Sequence, residues 1–134
     1  MSLAEVKLLS IGIERDYAAA YEFLASPANF AMWAEGLAET LRQEGVRWLA
    51  ATPAGDAEIR FSPRNDYGVL DHWVDFQDGT TVYVPLRIIS NGDGCEVTLT
   101  LLRLPGMTDE KFQADADWVN RDLARLKQLL ETKL

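Results

Sequence analysis

Residues 80–104 read TTVYVPLRIISNGDGCEVTLTLLRL, and this stretch decides the fold. Val82, Val84, Leu86 and Ile88 recur at every second position, as do Cys95, Val97, Leu99 and Leu101. Successive side chains of a strand point to opposite faces, so each set lies along one face. Between the two runs stands Asn91-Gly92-Asp93-Gly94, a tight-turn signature. Strands 80–90 and 95–104 are therefore expected to form an antiparallel hairpin.

The same period extends upstream. Strands are expected at 45–51, with Val46 and Trp48 on one side, at 57–62, with Ile59 and Phe61 aligned, and at 68–76. Pro53-Ala54-Gly55-Asp56 and Gln77-Asp78-Gly79 supply turns, and 63–67 is a polar loop that Asn65 shapes. A first strand is expected over 3–14, around Leu8, Leu9, Ile11 and Ile13. Asp16 then caps a helix carrying Tyr17, Ala20, Tyr21 and Leu24 on one face. Ser26-Pro27 starts a second short helix with Phe30 and Trp33, serine as the cap and proline in the first turn.

Downstream, Pro105-Gly106 stops the sheet and Thr108 caps a long helix. Its apolar stripe is Phe112, Ala116, Val119, Leu123, Leu126 and Leu130, at three- and four-residue steps. Asp109 and Glu110 suit the positive helix end, and Arg121, Arg125, Lys127 and Lys133 lie nearer the negative one. A sheet with one apolar face and a helix with one apolar stripe bury against each other, which defines an α+β domain spanning 1–134.

Composition narrows the function classes. The chain has 134 residues and a formal net charge of −8. Phosphate backbones and anionic membrane surfaces repel such a protein, so neither nucleic acid nor membrane is an expected partner. One cysteine, Cys95, cannot form an internal disulfide, which suits a reducing cytoplasm. One histidine and one cysteine make a zinc site of the usual ligands implausible; no metal or cofactor is expected.

His72 alternates with Leu70, Val74 and Phe76, so it shares their apolar face, while Asp71, Trp73 and Asp75 share the other. An imidazole in a cavity can transfer a proton near neutral pH; the alternative is a core histidine satisfied by a backbone carbonyl. Arg103 keeps the parity of Cys95 and Leu99 and either clamps a polar ligand group or pairs with a helix acid such as Asp115. Trp48, Phe61, Phe76 and Phe112 have the parity to line an apolar chamber or simply to fill a core, together with Val84, Leu99 and Val119. Asp71 and Asp75 read as solvated, and Cys95 as a buried, inert thiol.

Three segments carry a family resemblance: Ser26-Pro27-Ala28-Asn29-Phe30-Ala31-Met32-Trp33, Asn65-Asp66-Tyr67-Gly68-Val69-Leu70-Asp71-His72, and Arg103-Leu104-Pro105-Gly106-Met107-Thr108-Asp109-Glu110. With the element order they resemble the START-like, helix-grip proteins, grouped with birch-pollen-type allergens and polyketide cyclase/dehydrase-like proteins (SRPBCC). The resemblance implies a curved antiparallel sheet of about seven strands gripping the last helix, with a small apolar ligand held between them. It also leaves open a polyketide cyclase or dehydratase using His72 as general acid/base, with Arg103 orienting a polar end. A third reading is a protein-interaction module, like the relatives that contact chaperones, using outer-face Trp73 and Tyr83; the same aromatics admit a homodimer.

Overall fold

The chain begins with strand β1 (Val6–Ile13), helix α1 (Tyr17–Ala25), a 3-10 turn (Pro27–Asn29) and a single helical turn α2 (Phe30–Trp33). A second 3-10 turn (Gly36–Thr40) leads into strands β2 (Arg42–Glu44), β3 (Arg47–Thr52), β4 (Gly55–Phe61), β5 (His72–Asp75), β6 (Thr81–Val84), β7 (Leu86–Asn91) and β8 (Gly94–Leu102). Helix α3 (Asp109–Thr132) closes the fold. This computed structural model describes residues 2–132, so Lys133 lies outside the described residues.

The strands form two antiparallel sheets, ordered β1-β8-β7 and β2-β3-β4-β5-β6. The expected strand 80–90 is divided at Pro85, which has no N–H to give the ladder. The register nevertheless runs through the break. Val84 faces His72, and Val69 bridges Arg87 on the same count. Backbone bonds from Leu70 N to Leu86 O (2.8 Å) and from Thr100 N to Pro85 O (3.0 Å) hold the divided strand on both sides. Leu86 and Ile88 therefore stay buried on the face shared with half-buried Val82 and Val84.

A carboxylate repairs the break. Asp71 Oδ1 accepts the Leu86 N–H at 3.0 Å. The Arg87 guanidinium donates to both Asp71 oxygens at 2.8 Å, and the Tyr83 hydroxyl to Oδ2 at 2.7 Å. Asp71 is only 4% exposed, which corrects its reading as solvated. Burial alone would raise its carboxyl, but the bonds from Arg87, Tyr83 and Leu86 outweigh that and hold it below the ordinary value. Asp75 is also engaged, by Arg60 (2.6 and 3.2 Å) and Thr81 (2.7 Å).

Other expectations shift. Of 68–76, only His72–Asp75 is a regular strand. Val46 turns into solvent between β2 and β3, so it does not share a covered face with Trp48. Ser26 makes no capping bond; its hydroxyl donates back to Glu22 O at 3.3 Å. Asp16 and Thr108 do cap, accepting from Ala19 N (3.0 Å) and Lys111 N (3.1 Å). On β1, Leu9, Ile11 and Ile13 turn inward while Leu8 faces solvent.

Asn65 shapes the loop before β5. Its amide donates to Pro63 O and Val69 O, both at 2.9 Å, and its Oδ1 accepts from Tyr67 N (2.9 Å) and Val69 N (3.1 Å). Gly68 follows at φ +71, where a Cβ would lie 2.0 Å from Ile88 O, so only glycine fits. Replacing Asn65 by alanine removes four bonds and is expected to cost about 2 kcal/mol in urea unfolding; a cost below about 0.5 kcal/mol would contradict this role.

Two core clusters result. The larger joins Ile13, Val97 and Leu99 to Leu123, Leu126 and Leu130 of α3, with α1 and α2 against it. The smaller sits on the five-stranded sheet around Ala50, Ala57, Ile59 and Val74. Phe30 packs against both.

Candidate functional site

Where the two clusters meet, side chains do not fill the space. A cavity of about 210 Å³ lies between the sheet and α3. Ile59 (β4), His72 and Val74 (β5), Val84 (β6) and Leu99 (β8) form its floor. Val119 and Asp122 of α3, with the segment carrying Phe30, Trp33, Glu35 and Ala38, complete its wall. Larger depressions elsewhere are more open surface grooves, such as one of about 780 Å³ beside Arg15, Asp93 and Lys127.

The structure brings His72, Val84, Leu99 and Val119 together on this cavity and places the other candidates elsewhere. Trp48 faces Ile59 in the β3–β4 register but borders a shallow outer groove with Val46 and Phe61. Phe61 stands behind Phe30, edge to face at 5.9 Å. Phe76 packs on the smaller cluster. Phe112 is buried near the start of α3 beneath Lys7 and Arg103, whose charges lie 5.1 and 5.6 Å from its ring centre.

Arg103 lies away from this cavity. It ties the β8–α3 connection, with Nη1 on Glu5 (3.0 Å) and Asp109 (2.7 Å), and Nε and Nη2 on Met107 O (3.1 and 2.7 Å). Its helix acid is Asp109; Asp115 pairs with Lys111 instead. Arginine lies at the rim because the strand ends there and the turn offers carbonyl and carboxylate acceptors to its fork of donors.

His72 is 6% exposed, with the Phe30 ring edge-on at 5.1 Å and Phe61 at 6.0 Å. Burial drives its pKa down to about 4, against the opposing pull of the Asp71 charge and a hydrogen bond to the Leu70 backbone. The expectation of titration near neutral pH is thereby corrected: the imidazole is neutral at pH 7. Asp122, 9% exposed, is driven the other way, up to about 6. Burial is the main cause and the Glu35 charge adds to it, while the Glu35 N–H (3.4 Å to Oδ1) and the charges of Arg125 and Arg121 oppose it. Glu35 is itself paired with Arg125.

Sequence reasoning passed over Asp122, Ile59, Val74 and the 30–38 segment as site residues. The two strand residues carried a usable signal, since Val74 alternates with His72 and Ile59 with Phe61. Asp122 stands three residues after Val119 and four before Leu126, on the edge of the apolar stripe. The 3-10 turn Gly36–Thr40 has no period to read.

No family model matches the sequence, and no curated protein matches it. Solved structures do match in shape. The Aha1 dimer from Colwellia psychrerythraea superposes at a TM-score of 0.69 with 15% identity, over 96% of this chain and 97% of that one. Ara h 8.0201 does so at 0.64 with 8% identity, over 97% and 99%. DynU16, a protein of the dynemicin biosynthetic locus, does so at 0.65 with 18% identity; 95% of this chain covers 47% of that one. These likenesses show a helix-grip fold. The long helix α3 lies along antiparallel strands, with short helices after the first strand.

Proposed function

We propose that this protein binds one small apolar molecule in the cavity between sheet and α3. The observation that carries this reading is the cavity itself, partly open and lined mainly by apolar side chains where close packing is the rule. An apolar protein cavity of about 150 Å³ holds benzene, so about 210 Å³ suits one ring with a short chain, or two fused rings. It is smaller than the roughly 300–1000 Å³ of drug-sized pockets. A long lipid or a folded polyketide chain is thus a poorer fit than a compact aromatic molecule.

The acid/base reading of His72 draws less support, because a buried imidazole with a pKa of about 4 is a weak base at neutral pH. The outer-face reading draws less still. Tyr83 spends its hydroxyl on Asp71, and Trp73 is stacked on Tyr83 at 5.3 Å with Arg60 over it, so both aromatics already serve the fold.

The test is an NMR titration with small aromatic hydrocarbons. Indole or propylbenzene is expected to shift the amides of residues 72, 84, 99 and 119, and Val119→Phe, which fills the cavity, to weaken binding at least about tenfold. Unchanged affinity in a folded Val119→Phe variant would place the ligand elsewhere.

A further inference from the structure

The ionisable side chains of the cavity wall offer acceptors and negative charge, while the indole of Trp33 is a neutral donor in the same lining. Among the lining residues, His72, Glu35 and Asp122 bear the ionisable side chains, and none is lysine or arginine. Glu35 is held by Arg125. Asp122 is nine-tenths buried, yet among the described residues its carboxylate accepts one hydrogen bond, the long one from Glu35 N at 3.4 Å. A carboxylate has about four lone-pair sites, so most of its acceptor capacity is unspent. His72 is tied to the Leu70 backbone, which leaves its second nitrogen as an acceptor in the neutral ring.

We infer that the occupant of this cavity is a small apolar amine, its ring on the β4–β8 floor and its ammonium on the Asp122 carboxylate. The inference rests on the binding reading above and supplies the chemistry of the ligand. An ammonium is a pure donor and a cation, and on one side of the cavity it meets the carboxylates of Asp122 and Glu35 and the imidazole of His72. The raised pKa of Asp122 reflects a buried carboxylate short of compensating partners, which a bound cation would supply. A carboxylic acid or phosphate ester would set a second anion against Asp122 and Glu35 with no cationic side chain lining the cavity.

Three probes of nearly equal size test the inference on the intact chain at neutral pH: phenethylamine, propylbenzene and phenylacetate, titrated by NMR or calorimetry. Phenethylamine is expected to bind about ten- to a hundredfold tighter than propylbenzene, and phenylacetate more weakly than either. In Asp122→Asn the amine should fall to within about threefold of propylbenzene measured on the same variant. Phenylacetate binding as tightly as phenethylamine would overturn the inference, as would an Asp122→Asn protein that keeps the amine preference. The three wild-type affinities decide the matter even if that variant fails to fold. Propylbenzene binding without amine preference would sink the amine and leave the binding cavity standing; no binding by any probe would sink both.

Discussion

Alanine at position 71 is expected to lower stability by about 3 kcal/mol, although Asp71 lies outside the cavity. Its carboxylate collects the Leu86 N–H, both arms of Arg87 and the Tyr83 hydroxyl at the point where Pro85 divides the strand. Truncation strands the Leu86 N–H, and an unsatisfied buried donor costs about 1–3 kcal/mol by itself. The Arg87 side chain is half exposed and can return to water, so the loss should stay below that of a fully buried ion pair. Asp71→Asn keeps an acceptor for Leu86 and should cost about half as much. Arg87→Ala should cost about 1 kcal/mol. Urea unfolding of the three variants measures the order; Arg87→Ala costing as much as Asp71→Ala would mean that the charge, not the strand repair, is what matters. Acid should weaken the same site. The folded carboxyl titrates below its unfolded value, so its contribution is present above about pH 4 and is lost as the pH falls through the folded pKa.

The second large effect is hidden in the wild-type protein. His72 titrates at about 4 when folded and about 6.5 when unfolded, so the unfolded chain binds the proton more readily. Its contribution is full above pH 6.5 and falls by about 3 kcal/mol as the pH drops to 4. Asp122 has the opposite sign. Its folded value of about 6 lies above the unfolded 3.8, so the folded state binds the proton more readily. Stability from this group is full below pH 3.8 and falls, by up to about 3 kcal/mol, as the pH rises through 6. The two slopes nearly cancel between pH 4 and 7. Asp122→Asn should uncover the histidine, with stability dropping by about 3 kcal/mol from pH 7 to 4. His72→Gln should uncover the carboxylate, with stability rising over the same interval. Parallel profiles for both variants and the wild type would show that the two groups are not buried as a pair in one cavity.

The cavity ties these effects to binding. A buried carboxylate that destabilises the protein at neutral pH gains only the long bond from Glu35 N on α3, where leucine would continue the stripe through Leu123 and Leu126. It is accounted for if the site needs an anion there. Removing it should make the empty protein more stable near pH 7 while weakening amine binding, the trade of stability against function expected of a binding site.

Residues 80–104 alone determined that this chain contains an antiparallel hairpin, because a period of two and a four-residue turn are local properties. The α3 stripe was equally legible, since helical spacing is written in consecutive residues, and Asp16 and Thr108 announced their caps by type and position. Parity also placed His72, Val84 and Leu99 on the inner face, and the helical stripe placed Val119 opposite them. Only the tertiary structure decided which inner-face residues meet the cavity. Trp48, Phe61, Phe76 and Arg103 share the required parity and Phe112 the helical stripe, but sheet twist and the ends of strand and helix carry them to the groove, the second cluster or the rim. Asp71 looked solvated because parity says which face a residue takes, not what lies across it, and its partners are 12 to 16 positions away. Asp122 escaped for the same reason: what gives a carboxylate its meaning is the wall opposite it, and that wall is assembled from segments distant in the chain.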